Sequence, residues 1–235
     1  MPTPLIVSDV AKTFTMHLRG GIRLPVFERL SFTLTAGKCA VLAGPSGTGK
    51  STVMKMVYGN YGVDCGQIIV DHRGRLTDIA SADPRAMLDI RRHTVGYVSQ
   101  FLRVVPRVAA LDVAAEPLVE RGESQQAARA LAGELFERLN LPKALWSLPP
   151  ATFSGGEQQR VNIARGFITA HTVLLLDEPT ASLDAANRQV VMELIGEKKR
   201  SGVALLGIFH DQDVRQAVAD AVVDITEFSV SGVAA

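Results

Sequence analysis

Gly44-Pro45-Ser46-Gly47-Thr48-Gly49-Lys50-Ser51-Thr52 follows the apolar run Cys39 to Ala43, and this junction decides how the chain is read. The spacing G-x-x-x-x-G-K-[ST] is that of a phosphate-binding loop between a strand and a helix. Glycines let successive backbone N–H groups turn inward around phosphate oxygens, and a helix starting near Lys50 points its positive end at them. In that arrangement Lys50 neutralises β- and γ-phosphate charge, Ser51 ligates Mg²⁺, and Gly44 to Thr52 line the nucleotide. A glycine-rich turn that binds nothing is the competing reading. Only further motifs in the right order separate the two.

Around this loop, 235 residues with 47% apolar content suffice to bury a substantial core. One domain spanning 1–235, with an inserted subdomain, is therefore expected. Lys and Arg number 25 against 24 Asp and Glu. Spread along the chain, they form no basic face, which argues against a nucleic-acid partner. Cys39 and Cys65 flank the loop without metal-ligand spacing, so buried or inert free thiols in a reducing cytoplasm are expected. Met1 to Asp9 lacks a basic start followed by a long apolar run, and no segment approaches the ~18 apolar residues of a membrane span. A cytoplasmic protein is expected, and any membrane role requires a partner that does the spanning.

Leu5 to Val10 and Leu30 to Leu34 read as short strands of a small antiparallel layer, with Gly20-Gly21 and Pro25 marking a loop between them. Phe14 is an aromatic in that layer, and ordinary packing is the simpler reading of it. The helix from Lys50 ends near Gly59-Asn60, and Gly66 to Val70 is the next strand. Asp83-Pro84 opens a helix through Arg92, with Asp83 as cap and Pro84 at the first helical position. Thr94 to Ser99 is strand-like and delivers Gln100 at its end. The periodicity then changes to helical over Leu111 to Glu120 and Ser124 to Leu139, where Leu131, Leu135, Phe136 and Leu139 share one face. This block, 101 to about 152, contains no catalytic candidate.

Phe153-Ser154-Gly155-Gly156-Glu157-Gln158-Gln159-Arg160 leads into a helix. Ser154 and Glu157 have the spacing of a capping box, and the exposed helix N-terminus is also a second anion site in one protein. Val173 to Leu176 reads as a strand buried on both faces, ending in Asp177-Glu178-Pro179. With a phosphate loop upstream, Asp177 is the candidate for holding Mg²⁺ through its water shell and Glu178 the base that polarises water. Ser182-Leu183-Asp184 precedes a helix from Asn187 to Arg200, whose terminal Lys198-Lys199-Arg200 complements its negative pole. Val203 to Phe209 is the next buried strand and places His210 at its C-terminal end, where a histidine can donate to a γ-phosphate. Asp211 to Ala235 supplies one more helix and a strand.

Together, the loop at Gly44 to Ser51, Gln100, Ser154-Gly155-Gly156-Glu157, Val173 to Glu178, Ser182-Leu183-Asp184 and His210 resemble the ABC ATPase family. The resemblance implies an α/β fold: a P-loop NTPase core with an N-terminal antiparallel β layer and an inserted α-helical subdomain. The core lobe would comprise 1–100 and 160–235, and the helical subdomain 101–159. It implies that two subunits, identical or not, dock head to tail, each ATP lying between one phosphate loop and the other subunit's Ser154 helix. Position by position, Phe14 becomes the adenine-stacking residue, Gln100 the Mg²⁺ and water sensor, Asp184 an inter-subunit contact and His210 the γ-phosphate clamp. Gly155, Gly156 and Glu157 join Ser154 at the partner's nucleotide. The signature departs from many members by Glu157 in place of Gln and Phe153 in place of Leu, which adds a negative charge beside that nucleotide.

A narrower resemblance covers nearly the whole chain. Gly21 to Val26, Val98-Ser99-Gln100-Phe101-Leu102-Arg103-Val104, Phe153 to Phe167 and Gly207 to Asp211 are similar to the PhnL family, the L subunits of the bacterial carbon-phosphorus lyase system. That likeness implies a partner of soluble phosphonate-processing subunits, implicated in attaching a phosphonate to the ribose of an ATP-derived substrate. Two alternatives stand beside it. One is the ATPase subunit of a membrane exporter of the lipoprotein or macrolide type, whose signatures also contain Ser-Gly-Gly-Glu-Gln-Gln-Arg and whose membrane subunit would meet the Phe101 to Val113 region. The other is a nucleotide-dependent scaffold that barely turns over, against which the presence of Glu178 and His210 argues.

Overall fold

The computed structural model describes residues 3–16, 20–102 and 106–229. Its first layer is antiparallel. β1 (Leu5–Met16) pairs with β2 (Ile22–Leu34), and on its other edge with β4 (Cys65–His72), which pairs with β5 (Arg75–Asp78). β3 (Cys39–Ala43) belongs to a second, wholly parallel sheet. It lies between β8 (Ala204–Ile208) and β9 (Ala221–Asp224), and β6 (Val95–Val98) and β7 (Val173–Asp177) continue the sheet in the order β6-β7-β8-β3-β9.

The apolar runs of β3, β7 and β8 follow from cover on both faces. Their alternate residues divide between two cores. Cys39, Val41, Leu174 and Leu176 point into one cluster; Ala40, Leu42, Val173 and Leu175 point into the other. The second cluster is closed by α1 (Lys50–Val57), α2 (Pro84–His93) and the antiparallel layer. The first is closed by α3 (Ala110–Val119), α4 (Gln125–Arg138), α5 (Gly155–Phe167), α6 (Ala185–Arg200) and α7 (Gln212–Val218). Between β6 and β7 the described residues form only helices and turns. The 159/160 division falls inside α5, which is one continuous helix.

Several expectations need correction. Pro25 is not in a loop: β2 starts at Ile22, and Pro25 pairs with Thr13 at an irregularity of the register, on an edge strand where its missing N–H costs no ladder bond. Leu131 does not share the buried face of α4. It is 44% exposed, and the inward stripe is Ala128, Ala132 and Phe136, with Leu139 just beyond. Phe136 packs edge-on to Trp146, with 5.7 Å between ring centroids. Cys39 is buried, its thiol pushed up to about 12 by burial, but Cys65 is exposed. Lys198, Lys199 and Arg200 do lie in the last turn of α6, and two of them bind further groups as well: Lys198 Nζ donates to Thr169 O at 2.7 Å and Lys199 Nζ to Val218 O at 3.1 Å, the latter also pairing with Asp220 at 2.6 Å.

Candidate active site

Parallel packing puts the C-terminal ends of β3, β6, β7 and β8 at one edge of the sheet, and each end carries one of the expected groups. After β3, Gly44, Gly47 and Gly49 all take positive φ (134°, 86° and 97°). Gly49 is the N-cap of α1, and a Cβ there would sit 2.5 Å from Val26 Cγ1. The glycine thus serves both the turn and the close approach of β2, two positions from Leu24, the residue opposite Phe14. Thr48 Oγ1 donates to Pro45 O at 2.9 Å, and Ser46 completes the turn. Lys50 Nζ reaches back over the loop to donate to Gly44 O and Pro45 O, each at 2.7 Å. Burial lowers the Lys50 pKa, partly offset by the charge of Glu178. The ammonium therefore sits within the field of that carboxylate. Ser51 and Thr52 occupy the first turn of α1.

β7 ends in Asp177, which is only 4% exposed. Burial raises its pKa, Tyr97's hydrogen bond opposes that shift, and a weaker contribution from the Ser51 hydroxyl also lowers it. Tyr97 O–H donates to Asp177 Oδ2 at 2.8 Å, while Oδ1 is buried and makes no hydrogen bond. A buried carboxylate oxygen left free beside a serine hydroxyl is an oxygen donor set suited to Mg²⁺, so these residues fit the ion. Ser51 and Asp177 would hold it, with the Gln100 amide oxygen as a further donor.

Glu178 adopts a left-handed backbone, φ 52°, and its N–H donates to Ile208 O at 3.0 Å. For a residue with a Cβ this costs about 1 kcal/mol. The side chain is then held from both sides: Gln100 Nε2 donates to Oε2 at 3.0 Å, and His210 Nε2 lies 2.7 Å from Oε1. Gln100, Glu178 and His210 come from the ends of β6, β7 and β8, so three strands converge on one carboxylate. His210 is followed by Asp211, which caps α7 and pairs with Arg188 on α6.

The signature helix α5 forms a capping box. Ser154 Oγ and N both donate to Glu157 Oε2, at 2.7 and 2.8 Å, and Glu157 N donates to Ser154 Oγ at 3.4 Å. The Ser154 hydrogen bonds keep the Glu157 carboxylate below its ordinary range. A Cβ at Gly156 would meet Ser182 O at 2.9 Å, which brings the Ser182-Leu183-Asp184 turn against α5. Asp184 caps α6, accepting from Asn187 N at 2.8 Å. Gln159 Nε2 donates to Pro179 O at 3.1 Å, tying α5 to the segment after Glu178.

Among the described residues, no hydrogen bond joins Ser154 to the Lys50 or Glu178 groups. Phe14, in β1, meets Tyr61 edge-on at 5.3 Å, with Lys12 Nζ 5.2 Å from its ring centre. Two residues of the site were missed in the sequence. Tyr97 was hidden inside an apolar strand, where only the need of a buried phenol for a hydrogen-bond partner marks it. Asn162, whose Nδ2 donates to Ser99 O at 2.6 Å, fixes the peptide just before Gln100; it sits mid-helix with no local signal.

A strand-borne phosphate loop, an acid pair at the end of a parallel strand and a glutamine and histidine on the flanking strands define a P-loop NTPase. Residues 27–181 match the ABC transporter family, so the chain belongs to that family and is an ABC ATPase. It is 30% identical over 210 residues to the ABC transporter ATP-binding protein YvrO of Bacillus subtilis (strain 168), covering 89% of this chain and 88% of that one. It is 37% identical over 192 residues to the lipoprotein-releasing system ATP-binding protein LolD 2 of Caulobacter vibrioides, covering 81% and 82%. Against the macrolide export ATP-binding/permease protein MacB of Marinobacter nauticus it is 32% identical over 214 residues, which is 91% of this chain but only 32% of that protein. Among solved structures, the dimeric cassette MJ0796 in a post-hydrolysis state bound to ADP and Pi superposes with a TM-score of 0.84 at 25% identity, covering 94% of this chain and 93% of that one. No helix among the described residues is long and apolar enough to cross a membrane.

Proposed function

We propose that the chain hydrolyses ATP as half of a head-to-tail dimer, each nucleotide held between the phosphate loop of one subunit and the Ser154 helix of the other. The observation that carries this reading is the clamp on Glu178, whose carboxylate is fixed by Gln100 and His210 within the field of Lys50. Loop N–H groups and Lys50 bind the phosphates, and Lys50 exchanges its carbonyl partners for phosphate oxygens. Phe14 stacks on the adenine. Glu178 accepts a proton from water as the water oxygen bonds to the γ-phosphorus and the bond from phosphorus to the β–γ bridging oxygen breaks, releasing ADP and phosphate. His210 and Gln100 hold the base and the attacked phosphate in line. Mg²⁺, when bound, neutralises charge on the β- and γ-oxygens.

As the partner we propose the soluble subunits of a carbon-phosphorus lyase, with the chain supporting phosphonate catabolism in the cytoplasm. The strings Gly21 to Val26 and Gln100-Phe101-Leu102, which ATP chemistry does not require, support this reading. Arg103 and Val104, part of the same likeness, lie outside the described residues. The second reading, an exporter ATPase, is favoured by the similarity to the LolD and MacB proteins. Affinity purification from the native host grown on a phosphonate as phosphorus source, with soluble and membrane fractions kept apart, separates them. Soluble lyase subunits in the eluate support the first; recovery only with a membrane-spanning subunit replaces it by the second.

A further inference from the structure

We propose that Tyr97 is a positioning residue for the metal-binding carboxylate, its hydroxyl selecting which oxygen of Asp177 faces the Mg²⁺ shell. The inference rests on the assignment of Asp177 to the metal. In the parallel β6–β7 ladder Tyr97 lies opposite Leu175, and Asp177, two residues on, projects from the same face. The phenol reaches across to Oδ2 at 2.8 Å. A carboxylate is planar, so fixing Oδ2 fixes Oδ1, the buried oxygen without a hydrogen bond.

The phenol is itself backed by a stack of rings. Tyr58 lies 5.0 Å from it, tilted by 44°, and the Arg91 guanidinium sits 4.7 Å over Tyr58 while Arg91 Nε donates to Tyr58 O at 3.0 Å. Arg91 Nη2 in turn donates to Asn60 Oδ1 at 2.9 Å. A lever braced just past the C-terminal end of α1 and on α2 thus ends at the carboxylate. Without the hydroxyl, χ2 of Asp177 has only its broad two-fold preference, and Oδ2 turns toward other partners such as Lys55, whose charge already acts on the group.

The test measures binding without turnover. Affinity for the non-hydrolysable analogue AMP-PNP is determined by calorimetry with excess Mg²⁺ and again with EDTA, for the full chain, Tyr97→Phe and Asp177→Asn. The ratio of the two affinities is the metal's contribution. Second-sphere partners of metal ligands typically contribute 10–100-fold to metal affinity, so Tyr97→Phe is expected to shrink the ratio at least tenfold with the EDTA value unchanged. Asp177→Asn should abolish it. A collapse in Asp177→Asn with a parental ratio in Tyr97→Phe overturns the role of Tyr97 alone. Equal weakening of Tyr97→Phe with and without metal also overturns it, because that is what a merely structural residue would do. A parental ratio in Asp177→Asn overturns the metal assignment and the inference with it.

Discussion

Replacing Glu178 with glutamine separates the chemistry of the site from its architecture. The amide keeps the length of the side chain and meets the same backbone demand at φ 52°. Its carbonyl still accepts from Gln100 Nε2, now 3.0 Å from Oε2, and its NH₂ can donate to a neutral His210 ring nitrogen, now 2.7 Å from Oε1. The exchange turns charge-assisted hydrogen bonds into neutral ones at a cost of about 1 kcal/mol in stability. What vanishes entirely is the proton acceptor. A positioned general base contributes about 10²–10⁴ in rate, or roughly 2.7–5.4 kcal/mol in the barrier. The expected variant therefore folds, binds ATP with parental affinity and releases phosphate at least ~100-fold more slowly. Single-turnover phosphate release from the assembled dimer, with ATP affinity measured in parallel, reads both quantities. Parental turnover in a variant that binds ATP normally would refute the assignment of Glu178 as base.

Lys50→Ala removes the ammonium that bridges the Gly44 and Pro45 carbonyls; ATP affinity should fall at least tenfold, about 1.4 kcal/mol, and an unchanged calorimetric Kd would count against the phosphate-loop reading. His171 is held down to about 3 by burial and by the nearby charges of Arg121 and Lys198. Because the unfolded chain takes up this proton first, stability is intact above about pH 6.5 and is lost as pH falls toward 3, by about 2 kcal/mol at pH 5. Denaturant unfolding should show this slope in the parent and not in His171→Gln; identical slopes would contradict it. Glu157→Gln keeps an acceptor for the Ser154 capping bonds but removes the negative charge that the proposed dimer would set beside the partner's nucleotide. In a Glu178→Gln background, light scattering should find the ATP-bound dimer forming at severalfold lower protein concentration, and an unchanged midpoint would show that Glu157 does not oppose closure.

The parallel sheet was legible because its strands are short apolar runs that end in motifs. β7 is apolar from Val173 to Leu176 since both its faces are covered, and no amphipathic alternative competes with that pattern. β5 was not legible: Arg75–Asp78 is a four-residue edge strand whose one partner among the described residues is β4, and its composition is that of a loop. Leu131 misled for a related reason. Helical spacing ranks Leu above Ala as a buried residue, yet α3 and α5 approach α4 closely enough that small Ala128 and Ala132 form the contact and the larger side chain is left outside.

The site divided along the same line. Groups fixed by a local motif, such as Lys50, Ser51, Asp177 and Glu178, were legible one by one, because the loop or strand end that carries them is written in adjacent residues. Tyr97 and Asn162 act on atoms 80 and 63 positions away, and only the folded sheet makes them neighbours. Phe101 marks a third kind of residue. It is 75% exposed although it directly follows Gln100; its carbonyl accepts from Ser99 Oγ at 2.8 Å, and Asn162 Nδ2 donates to Ser99 O. The exposed ring takes no part in core packing, and a single apolar side chain in that position is ordinary for a protein surface. The residues that ATP hydrolysis constrains are common to both proposed partners, so the choice between a soluble lyase assembly and a membrane subunit falls to the affinity purification rather than to the site.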